Sequence, residues 1–191
     1  VDPSLCIAAA FAIGAAVGLF NGYLVAFVGI PSFIVTLGGL TLWRGLAFES
    51  TGGFDNSGMP DPLPFIGYGQ FLGVPMPIWI TGVFFVAMAF ILSSTKLGRY
   101  VYAMGSNEMG ARQVGINIRW YKLGVYVVSG LSCALGALVL MARMDSSSGK
   151  MAQMFELDAI AAVILGGTSL FGGRGSIWGS LLGAVLITMI R

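Results

Sequence analysis

Histidine is absent from this 191-residue chain, cysteine occurs only twice, and just 9% of the residues are charged. Without an imidazole there is no zinc–histidine site, no Ser-His-Asp or Cys-His catalysis and no haem–histidine ligation. The two cysteines, Cys6 and Cys133, sit in separate apolar stretches without a C-x-x-C spacing. They read as small buried hydrophobes and carry no information about a redox compartment. Lys and Arg total 10 against 8 Asp and Glu, a net charge of +2, and no basic run supplies the electrostatic footprint of a nucleic-acid partner. Soluble domains carry about 25% charged residues. Here 57% of positions are apolar and the mean hydropathy is +0.88, which excludes an ordinary water-soluble domain and describes a membrane protein in contact with a lipid bilayer. The first apolar run is too long for a cleaved signal and lacks a basic segment before it.

Gaps between charges locate the membrane segments, because a helix needs about 20 mostly apolar residues to cross about 30 Å of hydrocarbon. Nothing is charged from Pro3 to Trp43, and the Gly29-Ile30-Pro31 break divides that run into Leu5–Val28 and Pro31–Phe48. Pro31 then stands at a helix start, where its missing N–H costs little. Further spans are expected at Met76–Ser94 and Tyr121–Met141. The charge-free runs Ala159–Gly173 and Gly175–Ile190, at about 15 and 16 residues, are marginal as straight crossings. Half-helices or tilted segments around Gly166-Gly167 and Gly172-Gly173 fit them better. The expected fold is an all-α polytopic membrane protein, a bundle of about six membrane segments, some broken or re-entrant, with a short helix in a cytosolic loop. The G-x-x-x-G spacings Gly14/Gly18, Gly18/Gly22, Gly175/Gly179 and Gly179/Gly183 suggest close helix packing.

Orientation follows from the basic residues in short loops. Residues 96–122 hold Lys96, Arg99, Arg112, Arg119 and Lys122 against Glu108 alone, whereas residues 49–75 hold Glu49, Asp55 and Asp61 and no base. Loop 96–120 is therefore expected in the cytoplasm and loop 49–75 in the periplasm, with the Asp145–Asp158 connection also outside. The inward turn at Val28-Gly29 has no base of its own. Within the cytoplasmic loop, Ser106 or Asn107 can N-cap a helical turn, Glu108 lies favourably in its first turn, and Gly115 suits the position after its end. The spacing predicts a short amphiphilic helix presenting Met109, Ala111 and Val114 beside Glu108 and Arg112. Such a knob fits a groove on a soluble partner. A solvated loop whose bases merely fix orientation is the plainer alternative.

Three motifs now make the pattern specific: Gly22…Ile30-Pro-Ser-Phe-Ile-Val-Thr-Leu-Gly-Gly…Trp43-Arg-Gly-Leu; Gly98-Arg-Tyr-Val-Tyr-Ala-Met-Gly-Ser-Asn-Glu…Ala111-Arg…Gly115-Ile-Asn; and Glu156-Leu-Asp-Ala-Ile-Ala-Ala-Val-Ile-Leu-Gly-Gly-Thr-Ser-Leu-Phe-Gly-Gly-Arg-Gly-Ser. Together they span nearly the whole chain. The sequence resembles the membrane permease subunit of bacterial monosaccharide ABC importers of the ribose/xylose/arabinose/galactose type, and is most similar to the xylose and ribose permeases. The resemblance implies a multi-pass protein of the bacterial inner membrane that imports a monosaccharide such as xylose or ribose by alternating access. It implies as partners a second permease copy in a homodimer, cytosolic ABC ATPase subunits and a periplasmic sugar-binding protein. It also implies that Gly105–Ile116 forms the coupling helix seated in the ATPase. Full family members hold more membrane segments than this chain, which begins without Met and ends after an apolar run. Residues 1–191 therefore read as one transmembrane permease domain, a piece of a longer protein. The family usually places a base where this chain has Val28-Gly29.

The ATPase-coupling residues carried over are Gly105, Ser106, Asn107, Glu108, Gly110, Ala111, Arg112, Gly115 and Ile116. Asn107 and Glu108 would cap and contact, Gly110 and Ala111 would allow close approach, and Arg112 would meet a partner charge or simply mark the cytoplasmic side. A monosaccharide needs hydroxyl-matching donors and acceptors with an apolar or aromatic face, so Asn21, Ser32, Phe33, Thr36, Thr168 and Ser169 are the substrate-path candidates. Hydrogen bonding within and between helices is the competing use of each. Glu156 and Asp158 suit a helix N-terminus, and Trp43, Trp79, Trp120 and Trp178 suit the membrane interface. The glycine run from Gly166 matches neither G-x-x-x-x-G-K-[ST] nor G-x-G-x-x-G, so ATP would be hydrolysed by a partner; the chain is expected to be no enzyme and to need no cofactor or metal. Secondary carrier or channel for a small polar solute is the rival reading. Ion coupling usually needs an ionisable group in mid-span, and the charge gaps contain none.

Overall fold

The computed structural model describes residues 2–58, 63–170 and 172–190. Asp61, counted above in the periplasmic loop, and Phe171, in the fifth segment, lie outside the described residues. In chain order the helices are α1 (Pro3–Tyr23), continued by a π-helical turn Leu24–Val28, α2 (Ser32–Thr51), α3 (Leu63–Tyr68), α4 (Met76–Ser94), α5 (Lys96–Ser106), α6 (Glu108–Gln113), α7 (Ile118–Met144), α8 (Phe155–Leu165) and α9 (Ile177–Ile190). Two-residue strands β1 (Asn56–Ser57), β2 (Gln70–Phe71), β3 (Val74–Pro75) and β4 (Ser146–Ser147) interrupt the loops. Contacts divide the chain into two units, Val1–Thr81 with Lys122–Met151, and Gly82–Tyr121 with Ala152–Arg191.

Among the described residues three helices are long and apolar enough to cross a membrane: Pro3–Val28, Met76–Ser94 and Ile118–Met144. α4 holds no buried residue, so its apolar surface is left for lipid or further protein rather than for this chain's core. α2, expected as a crossing, is 20 residues long but is not among the three. Thr36, Gly38, Gly39, Thr41, Arg44 and Glu49 dilute its hydropathy. α8, with 11 residues, rises only about 16 Å, short of the hydrocarbon thickness, and α9 follows over Ile177–Ile190. The fold is thus that of a helical polytopic membrane protein, with three described helices of spanning length and, in α8, one of the short segments that were expected.

In the first unit α1 runs antiparallel to α7 through small residues. A Cβ built on Gly14 would lie 2.7 Å from the Gly130 carbonyl oxygen, and one on Gly18 would lie 2.5 Å from that of Tyr126. One on Gly22 would lie 2.9 Å from the Tyr126 Cβ. Every fourth residue of α1 is therefore the point where the neighbouring backbone passes, which is what the G-x-x-x-G spacing is for. The π-helical turn ends at Gly29 with φ +83°, a left-handed position that stops the helix, and Pro31 immediately precedes α2. At the other end of this unit β1 pairs antiparallel with β4, Asn56 opposite Ser147 and Ser57 opposite Ser146. Gly58 N–H donates to the Asp145 carbonyl at 3.2 Å, and Lys150 Nζ lies 6.0 Å from the centre of the Phe48 ring. The two connections assigned to the outside are thus tied to each other, an arrangement that requires them to share one face of the membrane. α3 is pressed on the end of α7, where a Cβ on Gly67 would lie 2.6 Å from Arg143 N.

In the second unit α8 and α9 form an antiparallel hairpin. Gly183 packs on the Ala162 carbonyl, and Gly166 and Gly179 lie backbone to backbone. Met154, with φ 67°, precedes α8, and Glu156 and Asp158 occupy its first turn, where their charge complements the helix dipole. The α1–α7 contact gives a direct test. Gly18→Leu forces a side chain into the α7 backbone and is expected to lower stability in detergent by about 1–3 kcal/mol or more. Gly82→Ala, on α4 where nothing lies within 4 Å, is expected to be neutral or slightly stabilising. Thermal unfolding of the purified variants checks both; equal melting of Gly18→Leu and the parent would refute the packing.

Candidate functional site

The loop singled out from sequence is helical over most of its length. Thr95 Oγ1 accepts from Gly98 N–H at 3.4 Å and caps α5, an amphipathic helix that was not expected. The capping threonine was its signal, hidden by Lys96, Arg99 and glycines at 98 and 105. Asn107 then breaks the helix with an extended backbone and caps α6, its Oδ1 accepting from Gly110 N–H at 2.9 Å. Of the two caps considered, Asn107 is the one used. Gly115, at φ +83°, donates its N–H to the Arg112 carbonyl at 3.0 Å and turns the chain into α7.

The buried residues Met104, Ala111 and Ile118 form a core, with Val101, Ile116 and Tyr121 packed against it. Tyr100 and Tyr121 meet edge to face with ring centres 5.2 Å apart. α6 is therefore clamped between α5 and the start of α7. This changes the reading of the helix faces. Ala111, expected to be presented outward, is 4% exposed and faces this core, whereas Met109 and Val114 stand 75% and 76% exposed. Neighbouring helices explain it: Met104 of α5 and Ile118 of α7 draw Ala111 into their core, while Glu108 and Arg112, one turn apart, pair at 3.1 Å on the solvent side. Gly105 and Ser106 meet the α8–α9 turn, and Ile116 is half-buried. The outward surface consists of Met109 and Val114, flanked by Asn107, the Glu108–Arg112 pair, Gln113 and Gly115. Two large apolar side chains held bare on a rigid, capped helix are suited to a hydrophobic groove.

The substrate-path candidates divide. In the first unit, α1 and α7 with Thr36 of α2 line an open groove of about 430 Å³, a size proper to small-molecule sites. Asn21, Thr36, Tyr126 and Ser129 supply polar groups to its otherwise apolar lining. The Ser32 side chain reaches the Tyr126 hydroxyl. Thr36 Oγ1 donates to the Ser32 carbonyl at 2.9 Å and so is engaged with its own helix. Phe33 is 71% exposed and does not line the groove. Thr168 and Ser169 belong to the second unit and serve its turn: Thr168 bonds Ser180 at 3.3 Å, and Ser169 N–H donates to the Arg174 carbonyl at 2.9 Å.

Trp43, expected as an interface anchor, packs against the first helix. Its ring meets Phe20 edge-on at 5.8 Å, and its Nε1 is buried without a partner, as is Asn21 Oδ1. Both point at the same spot: a Cβ on Gly39 would lie 3.3 Å from Asn21 Oδ1 and 3.5 Å from Trp43 Nε1. A buried N–H donor and a buried carbonyl acceptor left unpaired are costly in a dry environment. Together they offer a hydroxyl group one donor and one acceptor. Only the small residue at 39, a glycine whose neighbour is also glycine, signalled the gap. Trp79 instead hydrogen-bonds the Phe71 carbonyl at 3.2 Å, while Trp120 and Trp178 are exposed. Cys6 and Cys133 are free. Cys133 is exposed where it borders the groove, against the expected burial. Among the described residues no group of three or more His, Cys, Asp or Glu side chains could hold a metal ion.

Comparison with known proteins follows the same lines. The family described as branched-chain amino acid transport system / permease component matches residues 2–191. Over the whole chain the sequence is 43% identical to the ribose import permease protein RbsC of Escherichia coli K12, covering 61% of that protein. It is 40% identical over 94% of the chain to RbsC of Haemophilus influenzae, covering 57% of it. Against the autoinducer 2 import system permease protein LsrC of Salmonella paratyphi B it is 37% identical over 98% of the chain and 54% of the relative. The chain thus spans somewhat more than half the length of these relatives. No solved structure matches it at a significant level.

Proposed function

The chain belongs to the branched-chain amino acid transport system / permease component family, and from that premise we propose that it is the membrane-spanning part of an ATP-driven monosaccharide importer. Apolar helices of spanning length and permease relatives agree on a multi-pass protein of the bacterial inner membrane, a transport component and not an enzyme. Ribose is the first candidate substrate, because relatives bearing that name are 40–43% identical, with xylose as the notable alternative pentose. Partners are a cytosolic ABC ATPase at α6, a periplasmic sugar-binding protein at the face joined by β1 and β4, and a second copy of the permease completing the pathway. The observation that carries the reading is the exposed Met109–Val114 surface on a helix clamped by Met104, Ala111 and Ile118. A connector needs neither the cap nor the clamp, and a load-transmitting contact needs both.

Mechanically, closure of the ATPase subunits would displace α6, and α5 and α7, bound to it through that small core, would follow. Alternation of the pathway between its two faces would result. Within the pathway, the Asn21 side chain, at the wall of the groove between α1 and α7, is the group that meets a sugar hydroxyl. The helices of spanning length carry no Asp or Glu, and the bases of α7 sit near its ends, an arrangement that disfavours ion-coupled transport.

Replacing residues 105–116 of the full-length permease by a Gly/Ser linker is expected to abolish co-purification of the ATPase from solubilised membranes, and Met109→Asp with Val114→Asp to do the same with α6 intact. An ATPase absent from the parent preparation as well would overturn the importer reading in favour of a carrier or channel. Asn21→Leu is expected to raise the half-saturation concentration for ribose or xylose uptake by about tenfold, about 1.4 kcal/mol of binding, while leaving ATPase association unchanged. Unaltered uptake by that variant would remove Asn21 from the path.

A further inference from the structure

The junction between α5 and α6 is in backbone contact with the turn that joins α8 to α9. A Cβ built on Gly105 would lie 2.5 Å from Gly173 N, one on Gly172 would lie 2.9 Å from the Gly105 carbonyl oxygen, and one on Gly173 would lie 2.7 Å from Ser106 Cα. Real side chains do not fit at such distances, so the three glycines let two main chains touch. Gly172 and Gly173 are also left-handed, with φ +87° and +76°, which adds backbone strain to any replacement. Two hydroxyls fasten the contact: Tyr102 donates to the Gly175 carbonyl at 3.1 Å and Ser106 to the Gly173 carbonyl at 3.5 Å.

Both sides of this contact are stiff. On the turn, Gly172 N–H donates to the Ser169 carbonyl at 3.1 Å, and Ser169 N–H to the Arg174 carbonyl at 2.9 Å. The hairpin beyond it is closed by Gly166 against Gly179. On the other side, α6 is capped by Asn107 and held by its core of Met104, Ala111 and Ile118. Packed elements of this kind shift as bodies and do not deform continuously. We infer that the Gly172–Gly173 turn is clasped by the α5–α6 junction and moves with it, so that displacement of α6 is delivered directly to the α8–α9 hairpin. Gly105, Ser106 and Tyr102 are then positioning residues for transport, distinct from the outward residues that meet the ATPase. The proposal rests on the proposed function for what displaces α6, while the clasp itself does not.

The test uses the full-length permease in nanodiscs with its ATPase, free or trapped with ADP and vanadate, and follows deuterium exchange of peptides covering 105–113 and 166–176. In the parent protein trapping is expected to change exchange in both segments by about threefold or more. In Gly105→Val only the first is expected to respond, with the ATPase still bound and sugar uptake in proteoliposomes reduced about tenfold. The milder pair Ser106→Ala with Tyr102→Phe, which adds no bulk, is expected to weaken the second response in the same direction. A response of 166–176 that is equal in parent and variants, or absent in the parent when 105–113 responds, overturns the proposal. So does loss of uptake only together with loss of the ATPase, which would reduce Gly105 to docking. An ATPase that never binds the parent overturns the proposed function instead. The clasp is then read without it: Gly105→Val speeding exchange of 166–176 by about tenfold supports it, and unchanged exchange overturns it.

Discussion

Within a bilayer, two apolar helices gain no hydrophobic free energy by leaving lipid for each other, since the acyl chains are as apolar as leucine. What holds them is dispersion between closely fitted surfaces, and that fit requires side chains small enough for backbones to meet. Gly14, Gly18 and Gly22 meet α7 in this way, and Gly166, Gly179 and Gly183 close the α8–α9 hairpin. With 29 glycines in 191 residues the chain is built around such approaches. Among the described residues the buried hydrophobics are correspondingly few and half of them alanine, Ala134, Ala142 and Ala162 included, while many leucines, isoleucines and phenylalanines face outward. A soluble protein reverses that distribution, because there burial itself drives folding.

In the more polar stretches between the long apolar helices the rules change back. The α5–α6–α7 corner has an ordinary apolar core in Met104, Ala111 and Ile118, polar caps at Thr95 and Asn107, and a surface ion pair between Glu108 and Arg112. An exposed ion pair contributes little stability. The pair matters more for where it puts its neighbours: it keeps the polar face of α6 sideways, Ala111 inward and the Met109 and Val114 side chains free. The proposed function is read from that surface, not from the helical architecture, which many membrane proteins share.

Legibility in the sequence followed the strength of the physical signal. The span expected at Met76–Ser94 coincides with α4, and Gly29 with Pro31 marks the end of one helix and the beginning of the next, because a left-handed stop and a missing donor leave few alternatives. Asn107 was legible as a cap for the same reason. The α5 helix was not, since its alternation of charge, glycine and tyrosine resembles a polar loop until tertiary contacts give it an inner face. The inward turn of Ala111 and the burial of Trp43 Nε1 depend on neighbours from other helices, which periodicity alone does not reveal. The motifs around Gly105 and Gly172 stood out separately, and their juxtaposition came only from the fold.

The central claim is that α6 presents Met109 and Val114 to a cytosolic ATPase. Its most direct test is labelling of Met109→Cys in the full-length permease, with Cys6 and Cys133 replaced by alanine, using a membrane-impermeant maleimide. The account predicts rapid labelling in inside-out vesicles stripped of the ATPase, protection when the ATPase is restored, and no labelling of right-side-out vesicles. Labelling from the periplasmic side, or labelling indifferent to the ATPase, would contradict it.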